Sequence, residues 1–136
     1  MLILGAGGHA QVVADILLQM QEAGARITPV GYLDDDPELA GQAFLGLPVL
    51  GPFSRLAGAA HDAVIVAIGD NRVRYQIVER LNLQGERLVA AIHPRAVLAP
   101  DVSVGAGAMI CAGAVVNTGS VIGAHVILNT GCTVDH

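Results

Sequence analysis

From Leu98 onward every sixth residue is aliphatic: Leu98, Val104, Ile110, Val116, Ile122, Leu128 and Val134. A period of six is neither the 3.6 of an α-helix nor the 2 of an isolated strand. It is a repeat length of the parallel β-helix, in which short strands stack coil upon coil. Small residues crowd around these positions, at Gly105, Gly107, Ala112, Gly113, Gly119, Gly123 and Gly131. A backbone that turns a corner every six residues meets left-handed or crowded conformations there, and glycine tolerates both. The residues two before each aliphatic one (Val102, Ala108, Ala114, Ser120, Val126, Cys132) are small or β-branched and suit the inside of a narrow coil. Three six-residue sides make one triangular coil. Leu98 to Val115 then forms a first turn, Val116 to Thr133 a second, and Val134 to His136 the start of a third. A β-sandwich with glycine turns is the competing arrangement, but its strands vary in length and spacing.

A solenoid is stabilised by neighbouring repeats and protected at its ends by caps. Here the hexads run to His136 with no capping segment after them, so the sequence reads as a piece of a longer protein. Hydrophobic residues make up 53% of the 136, aromatic residues 3%, and Trp is absent. The core must be built from Val, Ile, Leu and Ala, as suits strands buried on both faces. Net charge is −5, all seven basic residues are Arg, and no basic stripe appears. Nucleic acid is therefore not the expected partner. Cys111 and Cys132 stand 21 residues apart and form no Cys-x-x-Cys pair, so they read as small core residues rather than a metal site. No cleavable leader and no run of 18 apolar residues is found, and a cytoplasmic location is expected.

The first ninety residues alternate strand and helix. Met1 to Leu4 is an apolar strand. Gly5-Ala6-Gly7-Gly8-His9-Ala10 follows, then a helical pattern with Val12, Val13, Ile16, Leu17 and Met20 on one face, ending near Gly24. Pro29 to Leu33 reads as a second strand, Ser54 to Ala60 as a short helix, and Ala63 to Ile68 as a buried strand. Arg72 to Leu83 is an amphipathic helix with Val73, Ile77, Val78 and Leu81 inward, and Leu88 to Ile92 reads as a last strand. This alternation predicts a parallel α/β sheet with right-handed crossovers. The expected organisation is an α/β domain over residues 1–93 and a β-helix domain over 94–136.

Gly5-x-Gly7-x-x-Ala10, after a strand and before a helix, has the context of a phosphate-binding loop or simply of a tight turn. Asp34 and Asp35 end the second strand where a dinucleotide fold carries its ribose-binding carboxylate, or they belong to a solvated turn ahead of Pro37. Gly69 and Asn71 end the third main strand. All of these fall at the carboxyl ends of the strands, where ligands of open α/β sheets bind. Of the histidines, His9 contacts a ligand or caps its helix, His61 lies exposed in a polar turn, and His93 is structural at the junction. His125 is a surface residue at a hexad corner. His136, closing Asn129-Thr130-Gly131-Cys132-Thr133-Val134-Asp135-His136, is the candidate proton acceptor.

Taken in order, Gly5-Ala6-Gly7-Gly8-His9, Tyr32-Leu33-Asp34-Asp35, Ala67-Ile68-Gly69-Asp70-Asn71 with Arg74, Ile92-His93-Pro94, and Ile127-Leu128-Asn129-Thr130 ending in Asp135-His136 resemble a known family. It is that of the bacterial sugar acyltransferases: sialic acid O-acetyltransferases and the UDP-4-amino-sugar N-acetyltransferases of bacillosamine and perosamine pathways. The resemblance spans the whole chain. It implies a Rossmann-like domain holding a nucleotide-sugar rather than NAD, and a left-handed β-helix that forms a trimer and binds acetyl-CoA between coils, with no metal. Carried over by motif, Gly7, Gly8, His9, Asp34, Asp35 and Gly69 would hold the nucleotide-sugar, with Asn71, Arg74 and Asn129 nearby. His136 would be the general base that deprotonates the sugar amine or hydroxyl. In the family a carboxylate directly follows that base. The sequence closes at His136, so these 136 residues are expected to bind nucleotide-sugar but to transfer acetyl groups poorly or not at all. The other function classes open to this chain are a non-catalytic nucleotide-binding module oligomerised by its coil, and part of an NAD-dependent oxidoreductase. The β-helix argues against the last.

Overall fold

A computed structural model describes residues 1–136. The chain runs through β1 (Leu2–Leu4), α1 (Gly8–Glu22), β2 (Gly31–Leu33), a hairpin of β3 (Ala43–Phe44) and β4 (Leu47–Pro48), β5 (Val64–Val66) and α2 (Asn71–Leu83). Short 3₁₀ turns occupy Pro37–Leu39 and Phe53–Gly58. Strands β2, β1 and β5 form a parallel sheet in that order, with Ile3 opposite both Tyr32 and Ile65. Side chains alternate across it. Ile3, Tyr32 and Ile65 join the cluster under α1, while Leu2, Leu4, Leu33, Val64 and Val66 join the cluster under α2. Both faces are covered, which is why these strands read as unbroken apolar runs.

Each helix buries a narrower stripe than the sequence pattern implies. On α1 the buried residues are Ala10, Val13, Ala14, Ile16 and Leu17. Val12, expected inward, is exposed, because it falls outside the i, i+3, i+4 stripe that Ala10, Val13, Ala14 and Leu17 define. On α2 the stripe is Arg74, Ile77, Val78 and Leu81, and Val73 is exposed for the same reason. An arginine, rather than the valine beside it, occupies the inward place.

The hexads fold as read. Eight two-residue strands follow: β6 (Ala91–Ile92), β7 (Val97–Leu98), β8 (Ser103–Val104), β9 (Met109–Ile110), β10 (Val115–Val116), β11 (Val121–Ile122), β12 (Ile127–Leu128) and β13 (Thr133–Val134). They pair in parallel as three ladders, β7-β10-β13, β8-β11 and β6-β9-β12. Val97 lies opposite Val115, and Val115 opposite Thr133. Each step is 18 residues, three hexads, so the coil has three sides. Its interior holds Ala108, Val116 and Ile122, flanked by half-buried Leu98, Val102, Val104, Val126, Leu128 and Val134. Both the aliphatic position and the small one two residues earlier point inward.

The predicted strand Leu88 to Ile92 divides in two. Leu88 bridges Val64 at the edge of the α/β sheet, while Ala91–Ile92 pairs with Met109–Ile110 as the first rung of the coil. Ile92 stands one hexad before Leu98, so the repeat starts earlier than the seven aliphatics counted. The ladder of β6, β9 and β12 lies against α1: Ala91, Met109 and Cys111 share one core cluster with Ala10, Val13, Ala14 and Leu17. The coil is therefore seated on the helix that begins at the glycine loop.

Candidate functional site

At the end of β1 the chain reverses through Gly5, whose φ is +104°. A Cβ there would lie 2.9 Å from the Ala67 carbonyl oxygen and 2.8 Å from Ile68 Cδ1, so both conformation and space demand glycine. Gly7 and Gly8 differ. A Cβ on either would meet nothing within 4 Å, so the space above them is open. Helix α1 starts there with no side-chain cap and no acidic residue in its first turn. Its leading N–H groups and the positive end of its dipole face that open space, as at anion-binding helix starts.

The acidic run after β2 separates into three roles. Asp34 accepts hydrogen bonds from the Ala6 N–H at 2.7 Å and the Asp36 N–H at 2.9 Å, one to each carboxylate oxygen. It ties the glycine loop to the end of β2. Asp35 accepts from the Phe53 N–H at 2.8 Å through one oxygen. It also lines a groove of about 570 Å³ floored by Leu4, Leu56, Ile77 and Leu81. That groove lies on the α2 side of the sheet, and Asp35 is the one residue among those predicted for the site that reaches it. Asp36 accepts from the Glu38 N–H and starts the 3₁₀ turn.

The third strand end is organised by Arg74. It is 7% exposed, and its guanidinium donates to the carbonyls of Ile68 (2.8 Å) and Gly69 (3.1 Å) and to Asn71 Oδ1 (2.6 Å). It forms no salt bridge. Asp70 caps α2 by accepting from the N–H groups of Arg72 and Val73, both at 2.9 Å. A Cβ on Gly69 would sit 4.0 Å from that of His9. His9 Nε2 is buried with no hydrogen-bond partner, and α1 has no side-chain cap. Burial, and then the Arg74 charge, push the His9 pKa below its ordinary value. Gly7, Gly8, His9, Asp34, Asp35, Gly69, Asn71 and Arg74 thus gather along the carboxyl edge of the sheet.

Asn129 and His136 lie elsewhere. Both are exposed. Asn129 follows β12, at the border of the coil side that lies on α1. His136 follows β13, in the ladder β7-β10-β13, a different side of the coil. No hydrogen bond joins either side chain to the glycine-loop residues.

Two histidines depart from expectation. His61 is not simply exposed: its Nδ1 lies 2.8 Å from the Ala59 carbonyl and its Nε2 2.9 Å from Glu86, linking two loops. Sequence spacing could not reveal a partner 25 residues away. His125 is half-buried rather than a surface residue, and its Nδ1 is sealed without a partner. His93 accepts from the Arg95 N–H at 2.9 Å and is structural. Cys111 and Cys132 are free thiols; burial chiefly raises the Cys111 pKa. No group of three His, Cys, Asp or Glu side chains is placed to hold a metal ion, and no helix is long and apolar enough to cross a membrane.

Residues 1–81, more than half of the chain, match the family described as the PglD N-terminal domain. The chain belongs to that family. This PglD-family chain is 33% identical over 114 residues to UDP-N-acetylbacillosamine N-acetyltransferase of Bacillus subtilis strain 168, covering 81% of the chain and 50% of the relative. It spans about half the length of that curated relative. Its fold superimposes with a TM-score of 0.85 on a histidine-to-alanine variant of GDP-perosamine N-acetyltransferase from Caulobacter crescentus, in complex with CoA and GDP-perosamine. Identity there is 39%, over 98% of this chain and 61% of the other. The acetyltransferase domain of PglB from Neisseria gonorrhoeae FA1090, in complex with acetyl coenzyme A, gives a TM-score of 0.85 at 36% identity. That match covers 99% of this chain and 63% of the other.

Proposed function

We propose that the protein is an acetyl-CoA-dependent nucleotide-sugar acetyltransferase acting in the cytoplasm. The α/β part, up to Leu88 at the edge of its sheet, forms a Rossmann-like domain that binds the nucleotide-sugar, and the coil, from its first rung at Ala91–Ile92, is a left-handed β-helix that carries the acyl-transfer machinery. The observation that carries this reading is the uncovered glycine edge beside a coil, the same architecture as relatives that hold CoA together with a nucleotide-sugar. The open space over Gly7 and Gly8, with the α1 N-terminus aimed into it, suits the phosphates. Asp34 keeps the loop in shape, and Asp35, with one oxygen free, is suited to ribose or base. His9, Gly69, Asn71 and Arg74 line the same edge.

His136 is the general base. It takes a proton from the sugar amine or hydroxyl as that group attacks the thioester carbonyl of acetyl-CoA. The new C–N or C–O bond forms, the C–S bond breaks as the tetrahedral intermediate collapses, and the proton passes to the departing CoA thiolate. In relatives held as complexes with CoA and substrate, a histidine was the residue replaced, which supports this role. His136 follows a coil side other than the one seated on α1, which supports a reading in which each site is completed by a second copy in a homotrimer about the coil axis. Asn129 lies at the border of the coil where the sugar would enter.

The test uses the full-length protein, acetyl-CoA and a panel of UDP-, GDP- and CMP-sugars, followed by thiol release and by calorimetry. His136→Ala is expected to lower the transfer rate about 10²- to 10⁴-fold, the usual span for a general base, while leaving nucleotide-sugar affinity unchanged. Transfer that survives the substitution removes the assigned base. Nucleotide binding without transfer in the wild type leaves a non-catalytic binding module in its place.

A further inference from the structure

The coil turns most of its corners on glycine. Gly107, Gly113, Gly119 and Gly131, each three residues after an aliphatic hexad position, have φ between 69° and 75°. After Ile122 the same place is held by His125 at φ 59°. A side chain in the left-handed region carries strain that glycine avoids, and strain retained at one repeat of many points to a role for that side chain.

The ring is built in. A Cβ on Gly107, one coil below, would run into His125 Nδ1, so the neighbouring corner leaves the imidazole its place. The backbone N–H of His125 donates to the Ala106 carbonyl at 2.9 Å and fixes the corner in the stack. Of the two ring nitrogens only Nδ1 is sealed, and it has no acceptor beside it. A buried N–H without an acceptor is the rarer and less favourable state, so the proton resides on Nε2, on the open side of the ring.

The corner leads into β12, whose Ile127 packs on the core cluster under α1, the helix that carries His9 in its first turn. The Arg74 guanidinium is buried, unpaired with any carboxylate, and held on the Gly69 carbonyl beside His9. Burial first, then the Arg74 charge, push down the pKa of both His9 and His125. One imidazole comes from the glycine loop and the other from the coil, and both lie in the field of the same cation.

We propose that His125 is a specificity-determining residue of the nucleotide-sugar cleft, presenting its Nε2–H from the coil side to an oxygen acceptor of the bound substrate. This rests on the functional reading above. The acceptor is a phosphate oxygen or a sugar hydroxyl, both served by a neutral donor.

The experiment compares wild type, His125→Gly and His125→Asn in the full-length protein. UDP, GDP and the nucleotide-sugar that the wild type binds are titrated by calorimetry, below the melting temperature of every variant. His125→Gly relieves the strain and removes the donor. It is expected to bind the nucleotide-sugar at least tenfold more weakly. His125→Asn, which tolerates the left-handed corner and keeps an N–H donor, recovers part of the loss. A loss that extends to GDP or UDP alone assigns the donor to phosphate; a loss confined to the nucleotide-sugar assigns it to the sugar. Affinities within twofold of wild type in both variants overturn the inference while leaving the parent reading intact. A wild type that binds none of the probes overturns both.

Discussion

Asp34 stands where a dinucleotide fold keeps its ribose carboxylate, yet both of its oxygens already accept backbone N–H groups, one from Ala6 and one from Asp36. Asp34→Ala leaves those donors without partners. It is expected to cost roughly 1–3 kcal/mol of stability, chiefly from stranding the N–H of buried Ala6, since the exposed Asp36 N–H turns to water, read from urea unfolding. An unchanged midpoint would return Asp34 to the ligand. His61 is the other residue whose partner was invisible in the sequence. Burial opposes its charge, but the bonds to the Ala59 carbonyl and Glu86, with the Glu86 charge, outweigh it and raise its pKa above the ordinary 6.5. The stabilisation is therefore complete below about pH 6.5 and is lost as pH rises through the higher folded-state value. Urea midpoints of the wild type should fall across that window relative to a His61→Asn variant. Parallel profiles for the two proteins would show that the ion pair contributes nothing.

The coil's glycines do different work at different corners. Gly105 has an ordinary backbone conformation, but a Cβ on it would run into the Ala124 N and lie 2.7 Å from the Gly123 carbonyl carbon. Those are backbone atoms of the next coil and cannot swing aside. Gly119 is left-handed at φ 75° with nothing near its absent Cβ. Gly119→Ala is expected to cost only about 1–2 kcal/mol, the left-handed penalty for a residue with a Cβ. Gly105→Ala should cost distinctly more and shift the stacking of β8 on β11. Equal losses in thermal unfolding would mean that the coils can slide apart. The hexad pattern was legible because a large aliphatic side chain must enter the coil once in every six residues, with a small one two places before it, a period no helix or sandwich shares. Helix faces were less legible: Val12 and Val73 share the apolar character of their neighbours but not their direction. Arg74 went unrecognised as an inward residue because a buried cation is read from its acceptors, and those are carbonyls 5 and 6 residues away.

Across the whole molecule, the coil is seated by its β6-β9-β12 side on α1, and His136 follows β13 on another side of the coil. If two copies share each site, a His136→Ala chain and a chain with its phosphate cradle blocked by Gly8→Trp should complement one another. Random mixing would make about a quarter of the sites whole, and a comparable share of wild-type transfer should return. No recovery from two separately folded inactive variants would place the whole site within one copy. The amino-acid order alone determined the periods: strand–helix alternation, then hexads, then glycines at the corners. Those follow from local geometry, which each segment carries by itself. Tertiary structure decided the partners: which carboxylate is spent on the backbone, which histidine is sealed, and which side of the coil lies on α1. Such choices depend on atoms far apart in sequence competing for the same hydrogen bonds and the same space, and only the folded chain brings them together.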